Sequence, residues 1–173
     1  MDPESKNLRV IVNELAETPM EGVRDHVEVV PMSPPDPSAL RSTDVIIQVR
    51  SAALSWVDLL MLSGQYQHMP TLPYTPGLEY SGIVTWAGSD VGAERVAVGD
   101  QVFVSCLSTG PRSGGDYQRF GGFASFSVAP ASAVRRIPEG FSFDQAANFA
   151  GNYETAYHCL VACGQLKAGE TVL

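Results

Sequence analysis

Three groups in this chain are candidates for chemistry by type and position. Tyr66 stands in the loop Ser63-Gly64-Gln65-Tyr66. A phenol set in a cleft delivers a proton to a carbonyl or carbanion as hydride arrives, whereas the same ring on a loop also serves to cover an apolar edge. Glu79 follows the corner Pro76-Gly77 and opens a β-like run; there we expect a buried, paired carboxylate. Cys159 and Cys163 are four residues apart, with His158 adjacent. That spacing suits a metal pair on one helical face or two small buried thiols on a core-facing helix, and the second is the expectation. His158 is then core-adjacent and His68 at the surface.

The first two groups belong to one block, Ala53 to Gly82, ALSWVDLLMLSGQYQHMPTLPYTPGLEYSG. It joins a strand end, an amphipathic turn of helix, a Tyr-bearing Gly loop and a Pro-Gly corner before a new strand. Such a succession of devices suits the floor of a concave site, where loops braced by a scaffold hold polar side chains at one face.

The scaffold reads as many short strands. Leu8–Val12, His26–Val30, the run from Asp44 with Val45, Ile47 and Val49 on one face, the run from Glu79, the run from Gln101, Phe123–Pro130 and Ala133–Pro138 are β-like. Trp56–Leu62 is apolar at helical spacing and stops at Gly64. The Pro-rich segment 31–40 is a connector, and the Gly-rich loop Ser105–Gly122, carrying Arg112, Tyr117 and Arg119, either shapes access to a site or lies disordered. Ser142 and Gln145 form a capping box that starts a helix through Ala150. A second helical run from Asn152 ends at Gly164, and Glu170–Leu173 begins a strand. The fold class expected is mainly β with short helices, a partly open barrel, as close turn-punctuated strands require.

Composition narrows the partners. Of 173 residues, 45% are hydrophobic and 17% charged, with a net charge of −8. That balance argues against nucleic acid and anionic membrane, which need clustered Lys and Arg. No apolar run approaches the ~20 residues of a spanning helix, and no leader is readable. Three cysteines suggest reduced thiols and a cytoplasmic location.

Taken in order, the motifs DVIIQVRSAALSWVDLLMLSGQY, LPYTPGLEYSGIV, VGDQVF, GGFASF, IPEGFSFDQAAN, TAY and LKAGETVL resemble the N-terminal part of medium-chain dehydrogenase/reductases, in the zinc-independent quinone oxidoreductase branch related to zeta-crystallin. The resemblance covers roughly residues 8 to 173. It implies a GroES-like catalytic domain over 1–145, then a linking helix and the first strand of a truncated Rossmann domain over 146–173. The Gly-rich turn that cradles a dinucleotide in that family follows this strand and is missing from the 173 residues.

The same resemblance implies residue roles. The zinc ligands of zinc-dependent relatives correspond to Ser55, Leu78 and Gly151, of which Leu78 has no donor, so no metal is expected. Tyr66 and Ser55 are the catalytic candidates; Ser55 stands where relatives carry Asn and keeps one donor and one acceptor. Thr155, Asn152 and Tyr66 are the candidates for contact with NADPH or NADH, and Asp58 is expected to brace. The implied reaction is hydride transfer from NAD(P)H to a quinone or an α,β-unsaturated carbonyl, in a homodimer or tetramer when complete, with this chain alone expected to be inactive. Two alternatives stand beside it: a non-catalytic GroES-like binding module, and a relative of the zinc alcohol dehydrogenases.

Overall fold

A computed structural model of the chain describes residues 7–172. Its frame is a five-stranded antiparallel sheet ordered β6-β3-β4-β5-β7, made of β3 (Asp44–Ala53), β4 (Glu79–Ala87), β5 (Gln101–Val104), β6 (Phe126–Pro130) and β7 (Val134–Arg136). A separate ribbon pairs β1 (Leu8–Val12) with β2 (Val27–Pro31), Leu8 opposite Pro31 and Val12 opposite Val27. The ribbon is stitched to the body where Val12 and Tyr74 exchange backbone hydrogen bonds of 2.9 and 3.2 Å. The two sheets do not close on one another. The architecture is the mainly β, partly open GroES-like barrel that the sequence led us to expect.

Alternation in β3 decides the main core. Val45 and Ile47 are buried on one face together with Tyr80, Val84, Val102, Val104 and Val134. Each such side chain, fully buried, contributes about 1.5–3 kcal/mol. The β3–β4 register shifts between Val49 and Ser51. Beside that bulge lies Gly82, where a Cβ would meet the Gln48 carbonyl at 2.1 Å, so the close approach of backbones is what requires glycine. A second cluster, Val12, Met61, Leu62, Tyr74, Leu78 and Cys106, supports the Ala53–Gly82 block from below.

The helix α2 (Trp56–Leu62) has the expected bounds, and Gly64 takes φ +69° just beyond its end. Other elements differ. A helix, α1 (Pro19–Asp25), fills the segment between β1 and β2: Thr18 accepts from the Glu21 N–H and Pro19 sits in the first turn. Thr-Pro-x-Glu is a start signal the strand reading passed over. His26 caps α1, so β2 begins at Val27. β6 starts at Phe126 rather than Phe123, and Ala131–Ala133 is a 3-10 turn ahead of β7. The expected helix through Ala150 breaks at Asn148 into α3 (Phe143–Ala147) and α4 (Ala150–Tyr157). The chain then continues at wider π spacing over His158–Cys163. Glu170–Val172 forms no strand, because a strand exists only by pairing and no described strand lies open beside it; Leu173 lies outside the described residues.

Candidate functional site

The floor of the site is built by two carboxylates that tie its loops together. Asp58, 2% exposed, accepts from the Ser55 N–H at 2.9 Å and the Ser55 hydroxyl at 3.0 Å, while its other oxygen accepts from the Gly77 N–H at 3.0 Å. The N-terminus of α2 is thereby fastened to the Pro76-Gly77 corner. Gly77, at φ +101°, leaves no room for a Cβ against the backbone of Gly122 and Phe123. Burial pushes the Asp58 carboxyl up, against the pull of its hydrogen bonds from Ser55, Gly77 and Leu78. The expectation of a bracing role is what this geometry describes.

Glu79, 6% exposed, takes the Gly151 N–H on Oε1. Its carboxyl is also held above the usual range, chiefly by burial, with the charges of Asp58 and Glu154 adding to it and the Gly151 hydrogen bond opposing. The three positions at which the resemblance leads one to look for metal ligands make other contacts. Ser55 caps α2, Leu78 is packed in the lower cluster, and the space beside Gly151 holds the Glu79 carboxylate. Among the described residues no group of three His, Cys, Asp or Glu is placed to hold a metal ion.

A groove of about 1020 Å³, lined largely by apolar groups, includes Gly151; Ser55, Asp58, Gly77 and Glu79 do not line it. Cys106, Leu107 and Arg112 form one wall; Phe149, Tyr153, Glu154, Thr155, Tyr157 and His158 belong to the other. Phe149 anchors that second wall, stacking on Tyr153 at 5.0 Å and meeting Phe141 and Phe103 edge-on. Burial pushes the Cys106 thiol up, Glu79 adds to this, and Arg112 opposes it.

The anticipated site residues divide. Thr155 lines the groove. Tyr66 is half-buried and does not line the groove; its ring centroid lies 5.9 Å from the Arg112 guanidinium, which does. Asn152 does not line the groove; its amide donates to the side chain and carbonyl of Asn148, at 2.8 and 3.3 Å. Ser55 directs its hydroxyl to Asp58. Cys159 and Cys163 are exposed rather than buried, and His158, also exposed, meets Cys163 Sγ at 3.3 Å. The correction has a simple cause: from Asn152 onward every described residue is exposed, since no described element covers that stretch. Cys106 was missed as a groove residue, while Arg112, read as part of a loop that either shapes access to a site or lies disordered, lines the groove.

That loop is ordered by two 3-10 turns, Gly110–Arg112 and Gly115–Arg119, and is latched to the start of β3. Tyr117 donates its hydroxyl to the buried Asp44 at 2.5 Å, and Arg41 lies over the Tyr117 ring while pairing with Asp116.

Residues 41–139 match the family described as the alcohol dehydrogenase GroES-like domain. The chain belongs to this family. The match agrees with the resemblance to medium-chain dehydrogenase/reductases carried by its motifs, and the relatives of this GroES-like chain include quinone oxidoreductases. It is 33% identical over 129 residues to quinone oxidoreductase from Homo sapiens, covering 75% of this chain and 35% of that protein. It is 37% identical over 134 residues to quinone oxidoreductase-like protein 2 homolog from Nematostella vectensis, covering 78% and 33%. Synaptic vesicle membrane protein VAT-1 homolog from Danio rerio is 33% identical over 135 residues, covering 78% and 25%. The chain thus spans about a quarter to a third of the length of these relatives.

Among solved structures, a Pseudomonas syringae quinone oxidoreductase superposes with a TM-score of 0.73 at 25% identity, over 95% of this chain and 43% of that one. The Escherichia coli quinone oxidoreductase complexed with NADPH gives 0.69 at 24% identity, over 88% and 40%, a likeness of fold. No helix among the described residues of the GroES-like chain is long and apolar enough to cross a membrane.

Proposed function

We propose that this chain is the acceptor-side part of an NAD(P)H-dependent oxidoreductase that reduces quinones or α,β-unsaturated carbonyls by hydride transfer without zinc. The observation that carries the reading is the apolar groove, lined by Thr155 and Arg112 among others. Names of relatives support it in class: quinone oxidoreductases recur among them. The residues present fit the nicotinamide end of the cofactor, since the groove offers aromatic surface at Phe149 and Tyr153 and a hydroxyl at Thr155. When bound, the nicotinamide supplies the hydride.

In this reading Tyr66 gives or orients the proton that the acceptor oxygen takes up as hydride arrives. Ser55 serves the floor through its bond to Asp58 rather than as a proton donor. Thr155 orients the carboxamide end of the ring. Segment 146–173 links to a nucleotide-binding domain in a cytoplasmic homodimer or tetramer.

The test is NADPH oxidation with benzoquinones and enones, by this chain alone and fused ahead of the nucleotide-binding half of a quinone oxidoreductase. Turnover by the fusion and none by the chain alone is expected. A folded fusion that binds NADPH yet reduces neither class points instead to a non-catalytic GroES-like binding module.

A further inference from the structure

We propose that Arg112 determines acceptor specificity by selecting a molecule that carries a carboxylate, an inference that rests on reading the groove as the acceptor site. Arg112 is the one Arg or Lys among the groove-lining residues. None of the ion pairs among the described residues includes it, although Glu154 lines the same groove and Glu79 lies near Cys106. Its guanidinium rests over the Tyr66 ring at 5.9 Å, and Cys106 lines the same groove. A ring face orients a guanidinium without neutralising it, so its charge stays available to a ligand.

The position is built rather than incidental. Ser113 donates to the Gly110 carbonyl at 2.7 Å and Thr109 to the Ser105 carbonyl at 3.0 Å, fixing the turn that bears Arg112. The far end of the same loop is held by the Tyr117–Asp44 bond and the Arg41–Asp116 pair. A planar fork of donors at the rim of an apolar, aromatic-walled groove matches a carboxylate on a flat unsaturated molecule. Arg112 is the single Arg or Lys lining the groove and Glu154 offsets part of its charge, so the fork suits one carboxylate and not a phosphate dianion.

The experiment titrates the 173-residue chain with 4-(3-oxobut-1-enyl)benzoate and with its methyl ester, which replaces the charge by one methyl group. The chain should bind the carboxylate at least ~10-fold tighter than the ester at low salt, the size expected of a charge-assisted pair. Arg112→Gln should level the two affinities, and Arg112→Lys should keep part of the preference. Circular dichroism melts confirm that each variant is folded; if Arg112→Gln is not, the ratio in the unaltered chain and in Arg112→Lys, and its loss at high salt, decide. Equal binding of the two probes, or a preference that survives Arg112→Gln, overturns the proposal while leaving the groove as acceptor site. Binding of neither probe overturns both.

Discussion

The carboxylate of Glu79 occupies the space that Gly151 leaves by having no side chain. A Cβ on Gly151 would lie 2.3 Å from Glu79 Oε1, and the Gly151 N–H donates to that same oxygen. This one contact joins the start of β4 to the first turn of α4, which carries groove-lining residues.

Gly151→Ala should therefore displace Glu79 and cost about 1–3 kcal/mol of stability, the usual cost of an added methyl in a filled site. Urea denaturation followed by circular dichroism measures it. A loss below about 0.5 kcal/mol would mean that the junction yields without strain, and the contact would not hold β4 to α4.

Asp58→Asn should destabilise the floor by about 1–3 kcal/mol, because an amide keeps one acceptor where the carboxylate uses both oxygens for Ser55 and Gly77. Asp58→Ala should cost more. Hydrogen exchange at the Gly77 amide is the local readout: it should quicken in both variants, and unchanged protection would remove Asp58 as the brace.

The pH dependence follows from Glu79. Burial holds its carboxyl above the ordinary value of 4.5, with Asp58 and Glu154 adding to the effect. A carboxyl raised in the folded state binds its proton more tightly there than in the unfolded chain. Its favourable contribution is present below 4.5 and is lost as pH rises through the folded value. Glu79→Gln keeps an oxygen for the Gly151 N–H and removes the titration. The melting temperature of the unaltered chain, taken relative to Glu79→Gln, should fall from pH 4.5 toward neutrality; a constant difference contradicts it.

Tyr117→Phe should open the long loop. The phenol is pushed up to about 12 by burial and by its bond to Asp44, and removing the hydroxyl leaves a buried carboxylate oxygen short of a donor. The cost should be about 1–3 kcal/mol, with faster tryptic cleavage after Arg112 or Arg119. An unchanged digestion rate would show that Arg41 and Asp116 hold the loop without Tyr117.

Much of the fold was legible because its signals are local. Alternation at Val45, Ile47 and Val49 marks β3, apolar spacing over Trp56–Leu62 with Gly64 beyond marks α2, and Ser142 with Gln145 starts α3. Each such signal is settled within a few residues by backbone hydrogen bonds and φ preferences, and the ordered motifs carried the family. The helix α1 was also written locally, in Thr18, Pro19 and Glu21, but short strands on either side drew the reading toward β structure.

What only the tertiary structure decided involves partners far apart in the chain. That Glu79 meets Gly151, that Tyr117 reaches Asp44, and that Arg112 comes over Tyr66 depends on how the sheet and its loops close, which no local propensity records. Burial is likewise collective. Cys159, Cys163 and His158 carry the spacing of a core-facing helix, yet they stand exposed, because a face is buried only when another element packs against it. The sequence by itself determined most of the elements and the family; the fold decided which side chains share the groove, since that is set by contacts spanning tens of residues.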